Sequence, residues 1–143
     1  MKRYANLDYA LLLIRLIFAF RLIYGSVDNV VSWDRMLEFA HFLESNSFPF
    51  PVISAVLSVY VQFIGGLMWV AGFKTKVVSL ILVANFLVAI FAVHVVGGDG
   101  YLATAPAIHI LAVAIVLYLT GPGRVSVDHR LKPTDSASNE PYI

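Results

Sequence analysis

Four apolar stretches, each long enough to cross a lipid bilayer, leave this chain few ways to fold. They run from Leu7 to Val31, Pro51 to Phe73, Val77 to Val96 and Leu102 to Thr120. A crossing helix needs ~20 mostly apolar residues, because hydrocarbon offers no partner for backbone N–H and C=O groups. Chain-breaking residues separate the stretches: Phe48-Pro49-Phe50-Pro51, Lys74-Thr75-Lys76, Gly97-Gly98-Asp99-Gly100 and Gly121-Pro122-Gly123. The first run is too long for a signal-peptide core and ends without a small-residue cleavage site, so it is expected to stay as a helix.

Composition supports the same class. Apolar residues make up 59% of the 143 and charged residues 13%, against ~45–50% and ~25% in soluble domains. This excludes a disordered chain and a nucleic-acid binder built on basic patches. There is no cysteine, which excludes disulfides, thiol catalysis and cysteine-held iron–sulfur or zinc sites. Redox chemistry would need a bound cofactor or a partner protein.

The expected fold is all-α, a transmembrane four-helix bundle. Lys2, Arg3, Lys74, Lys76, Arg124, Arg130 and Lys132 fall on one side and only Arg35 on the other. This predicts that both termini are cytoplasmic, with residues 32–50 and the turn at 97–100 outside. Within residues 32–50, apolar Trp33, Met36, Leu37, Ala40 and Leu43 follow a helical period. They predict a short amphipathic helix at the outer interface, started by Ser32 or Asp34 and stopped by Pro49 and Pro51. Residues 1–128 form the four-span domain in this reading, and 129–143 a short polar cytoplasmic tail.

Polar side chains inside spans need a partner or a cavity. They are Arg15, Arg21, Asp28, Gln62, Asn85, His94 and His109. At ~100° per residue Arg21, Gly25 and Asp28 share a face, with ~10.5 Å along the axis from Arg21 to Asp28. Arg15 is turned ~120° from Arg21 and is expected to point to a subunit interface or the cytoplasmic headgroups. The sequence predicts one polar pocket in the outer half of the bundle, lined by Arg21, Asp28, Gln62, Asn85, His94 and His109, with Tyr24, Tyr60 and Tyr101 as additions. The competing reading is a hydrogen-bond network that only ties helices together.

His94 and His109 suggest a bis-histidine haem or metal site, but their depths differ by ~7.5 Å, and no metal site is assigned. Gly65-Gly66 and Gly72 serve close helix packing, since the span context and the missing Walker pattern exclude a phosphate loop. Trp33, Trp69, Tyr9, Tyr101 and Tyr118 are expected in the interfacial aromatic belts. No nucleophile elbow or triad motif is present, and no catalytic residue is identified.

The order of motifs resembles the DoxX family of small four-helix membrane proteins. The matching features are Arg15 ten residues before Gly25, the segment from Phe39-Ala40-His41-Phe42-Leu43 to Pro51, and Gln62-Phe63-Ile64-Gly65-Gly66. Gly72-Phe73-Lys74-Thr75, His94 and the closing Thr120-Gly121-Pro122-Gly123-Arg124-Val125-Ser126-Val127-Asp128 follow. Family members often carry glutamate where this chain has Gln62 and lysine near Asp28, so Asp28 becomes the acid and Arg21 its basic partner. The resemblance implies association with a membrane redox system and includes relatives of the small subunit of thiosulfate:quinone oxidoreductase.

Together these readings predict a multi-pass protein of the bacterial cytoplasmic (inner) membrane that binds a quinone-like or other small amphipathic ligand. Arg21 and His109 would donate to its carbonyls and Asp28 would orient Arg21. The expected partners are membrane lipid, a redox partner protein and further copies in a homo-oligomer, without nucleic acid. Any turnover would be quinone-linked, as a subunit of an oxidoreductase. The alternatives are a structural membrane subunit without a ligand and a small oligomeric transporter or channel subunit.

Overall fold

The computed structural model describes residues 2–131, and the expected polar tail from Lys132 to Ile143 lies outside the described residues. The fold is an all-α bundle with four helices long and apolar enough to cross a membrane. Helix α1 spans Lys2–Val31, α2 Trp33–Ser45, α3 Pro51–Ala71 and α4 Thr75–Val88. The helix of α4 continues as a wider π-helical segment over Ala89–Val95; α5 spans Tyr101–Thr120, and a single turn, α6, covers Val127–Arg130. Helix α1 packs on α3, α3 on α4 and α4 on α5, while α1 and α5 meet only lightly.

Small residues set the tightest contacts. A Cβ at Gly66 would lie 2.8 Å from Ile23 and 3.1 Å from the Ala19 carbonyl of α1. One at Gly65 would lie 3.3 Å from Leu82 of α4. The adjacent glycines therefore let α3 press against a helix on either side, the close approach that membrane helices achieve with small residues. Ala19, Leu22, Leu82, Ala114 and Leu117 are fully buried around this contact. Trp69 is also fully buried, and its Nε1 donates to Ser79 Oγ at 3.1 Å. It joins α3 to α4 inside the bundle and does not sit in an aromatic belt as expected. Tyr9 and Trp33 are exposed.

The amphipathic helix between the first two spans is present as α2. Ser32 is its N-cap, accepting from Arg35 N at 3.4 Å. Met36, Ala40 and Leu43 bury one face against Ala55, Val59 and Val93. Helix α3 starts with Pro51 at its first position, where a missing N–H costs nothing.

The opposite end of the bundle is closed by the C-terminal segment, and Arg15 holds it there. Arg15 is 1% exposed. Its Nη1 donates to Pro122 O at 2.6 Å and its Nη2 to Val125 O at 2.8 Å. The expectation that Arg15 faces an interface or the headgroups is corrected: its face also carries Ala19, Leu22 and Ser26, and all four are buried. Gly72 ends α3 in the left-handed region, at φ +66°, directly beneath this contact. A Cβ there would lie 2.6 Å from Ser126 Cβ and 2.8 Å from Arg15 Nη1.

The same segment caps α4. Lys74, also left-handed, offers α4 no side-chain cap. Asp128 supplies one from 54 residues away, accepting from Lys74 N at 2.6 Å and Thr75 N at 2.8 Å. Asp128 N in turn donates to Gly72 O at 2.9 Å. Asp8 of α1 accepts from Arg124 N at 2.9 Å.

Two outcomes are expected from this clasp. Asp128→Ala should destabilise the protein by about 1–2 kcal/mol, the usual cost of losing a helix cap, with Asp128→Asn falling between it and the parent. Unfolding curves in mild detergent measure this, and an unchanged midpoint for Asp128→Ala contradicts the capping role. Arg15→Met strands two carbonyls and should cost roughly 2–4 kcal/mol. Protease cleavage within residues 121–131 should then precede loss of the helical bundle.

Candidate functional site

A cavity of about 510 Å³ opens between α2, α3 and the α4/π-helical span. Its walls are mainly apolar, with Phe39, Phe42, Phe48 and Phe86 among them. Gln62 from α3, Asn85 from α4 and His94 from the π-helical segment bring polar groups to it. This volume and this mixture of apolar wall with few polar groups are those of small-molecule pockets.

Each polar group has a distinct state. Gln62 Nε2 donates to Ser58 Oγ at 3.1 Å, one turn earlier on α3, and Ser58 also lines the cavity. Asn85 Nδ2 is buried and has no hydrogen-bond partner among the described residues. An amide donor left bare in this way costs about 1–3 kcal/mol, and an acceptor delivered by a ligand removes that cost.

His94 is held twice by Asp99. Its Nδ1 lies 2.7 Å from Asp99 Oδ2, and its backbone carbonyl accepts from Asp99 N at 2.9 Å. A carboxylate only accepts, so Nδ1 carries the proton and Nε2 is left as an acceptor when the ring is neutral. The Gly97-Gly98 turn makes the reversal possible. A Cβ at Gly97 would lie 2.9 Å from Asn46 Oδ1 at the end of α2. The π-helical winding that carries His94 is a feature concentrated at functional sites in other proteins.

Only three of the six predicted lining residues meet here. Arg21 and His109 lie together in a second, smaller cleft of about 260 Å³ between α1 and α5, beside Ile17 and Pro106. Asp28 lines neither cavity. No ion pair or hydrogen bond joins Asp28 to Arg21 among the described residues; the Arg21 guanidinium instead lies against Gly25. The single pocket expected from depth alone is thus two sites on different sides of the bundle. His94 and His109 are parted with them, and no group of three or more His, Cys, Asp or Glu capable of holding a metal occurs among the described residues. Tyr24, Tyr60 and Tyr101 line neither space and are exposed.

Sequence reasoning missed Asp99 as the histidine's anchor, Ser58 as the glutamine's, and the phenylalanines that α2 contributes. An acid five residues beyond a histidine, across a Gly-Gly turn, was the available signal for the first.

The molecule is therefore a multi-pass membrane protein whose helical bundle holds an aromatic-walled cavity with two amides and an anchored imidazole. The DoxX family model matches residues 10–95, more than half of the chain and all three of these polar groups. The chain belongs to the DoxX family. No curated protein and no solved structure gives a match.

The anchoring of His94 has a direct spectroscopic test. In alkaline buffer, ¹⁵N-histidine spectra should show His94 as the Nδ1–H tautomer, assigned by its absence in His94→Gln. Asp99→Ala should lower the Nδ1–H fraction. A predominant Nε2–H form in the parent protein contradicts the arrangement.

Proposed function

We propose that this protein binds a neutral, quinone-like or similarly small amphipathic ligand in the larger cavity, as an accessory membrane subunit of a redox system. The observation that carries the reading is the aromatic-walled cavity of about 510 Å³, with the side chains of Gln62, Asn85 and His94 on its wall. A ligand carbonyl would accept from Asn85 Nδ2 after the buried amide turns toward the cavity, which gives this donor the partner it lacks. The second hydrogen on Gln62 Nε2 is available to the same ligand, since Ser58 occupies only one. A hydroxyl, as on a reduced quinone, would donate to His94 Nε2. The phenylalanine walls suit a flat apolar ring.

The lysine and arginine asymmetry supports a bacterial cytoplasmic-membrane protein with both termini cytoplasmic. The cavity then lies toward the outer half, because Ser54 and Ser58 occupy the first half of α3, Gln62 its middle, and His94 is near the end of the following span. Electrons for any turnover would come from a redox partner protein, as the chain has no thiol of its own.

Native mass spectrometry of protein purified gently from its own membranes is the decisive experiment. The parent should retain a small molecule whose mass identifies its class. Asn85→Leu should lower its occupancy at least tenfold (about 1.4 kcal/mol) while the protein remains folded. A clean apo mass, with only bulk phospholipid, overturns the proposal and favours a structural subunit without a ligand.

A further inference from the structure

Two charged side chains of the α1 span are left on the outer surface of the bundle. Arg21 and Asp28 are both exposed. Around the helix they lie only ~20° apart, so they edge the same seam, the lightly packed one between α1 and α5. Arg21 shares that seam's cleft with Ile17, Pro106 and His109. Facing lipid, a charge within a span is costly, and acyl chains satisfy neither sign.

The direction of the Arg21 side chain narrows the choice of partner. A long cation can often reach the nearer headgroups. Arg21 instead places Nη1 3.1 Å from where a Gly25 Cβ would be, one turn toward Asp28 and away from the basic end of the bundle. Its charge therefore stands just below the level of Asp28, yet the two do not pair within the chain. Gly25, itself exposed, has no side chain and so gives the Arg21 guanidinium room to lie along the helix toward Asp28.

We propose that a second copy of this chain closes the seam between α1 and α5. The two copies pack about a two-fold axis along the membrane normal, and each Arg21 pairs with Asp28 of the partner subunit. Copies with the same membrane orientation bring their α1 helices side by side and parallel. An arginine reaching one turn upward then meets a carboxylate that leans back toward its helix N-terminus. One patch carries both signs, so it complements itself, as a two-fold interface requires. The exposed charges are matched in pairs, and Gly25 lets each guanidinium reach up toward its partner carboxylate. The interface does not depend on ligand binding in the cavity on the other side of the bundle.

The chain's lack of cysteine makes the test direct. Tyr24→Cys places a thiol beside the seam; Leu80→Cys places one on the exposed face of α4 as a control. Oxidation in native membranes should give at least tenfold more cross-linked dimer at position 24 than at position 80. In the Tyr24→Cys protein, Arg21→Asp and Asp28→Arg should each lower dimer yield more than fivefold, and the two together should restore it to within twofold. Equal cross-linking at positions 24 and 80 overturns the proposal, independently of how the charge variants fold. So does a yield that ignores the single reversals, or a double reversal that folds but does not recover.

Discussion

The buried guanidinium of Arg15 is the contact on which the arrangement of the other helices rests. A membrane bundle must end somewhere, and each helix end leaves backbone groups without intrahelical partners. Here α3 stops and α4 starts at one point, with left-handed Gly72 and Lys74 between them. The Pro122–Asp128 segment folds beneath that point and satisfies it. Arg15 holds two carbonyls of the segment, and Asp128 holds the N–H groups of Lys74 and Thr75 at the start of α4. One side chain of α1 thereby fixes the segment from Pro122 to Val125 against the α3–α4 junction. The register of α1 on α3 follows, placing Ala19 and Ile23 over Gly66.

This explains why motifs spread from Arg15 to Asp128 belong together. Gly72-Phe73-Lys74-Thr75 and Gly121–Asp128 are distant in sequence, yet they form one structural unit with Arg15. That unit is a clasp, remote from the aromatic-walled cavity. Arg15, Gly72 and Asp128 are thereby accounted for by how the bundle is closed, and Gln62, Asn85 and His94 stand apart from them at the cavity.

Hydropathy made the four spans legible to within a few residues, and the 3.6-residue period made α2 legible with its Ser32 cap. Depth was legible too, because rise per residue is fixed. Azimuth was not. Arg15 and Arg21 were known to point ~120° apart, but which one faced the interior depends on how α1 meets α3. The deciding signal was the stripe Arg15, Ala19, Leu22 and Ser26, mostly small or able to hydrogen-bond, against the bulky Leu13, Ile17, Phe20 and Tyr24. Bulky apolar residues face lipid freely, whereas small ones gain most from contact with another helix. Trp69 was misplaced for a related reason: its indole finds Ser79 only once α3 and α4 fold into a hairpin. The π-helical segment left no readable mark in Ala89–Val95, and the Asp99 clamp on His94 depends on the turn that follows it.

With the azimuths settled, the polar residues of the spans sort by charge. Arg15 donates to neutral carbonyls inside the clasp. Arg21 and Asp28 stand outside, of opposite sign, on a surface that needs a counter-charge. The cavity receives two neutral amides and an imidazole whose Nδ1 is already engaged by Asp99. In a low-dielectric setting this separation matters more than it would in water, because an unmatched charge there interacts strongly over many ångströms. A cavity without a fixed unpaired charge has no strong preference for an anion or a cation. Under the proposed function, selection would rest on shape, on aromatic contact and on the few hydrogen bonds that Asn85, Gln62 and His94 can make. That favours a neutral ring bearing an acceptor at one edge, and it disfavours a charged solute of the same size.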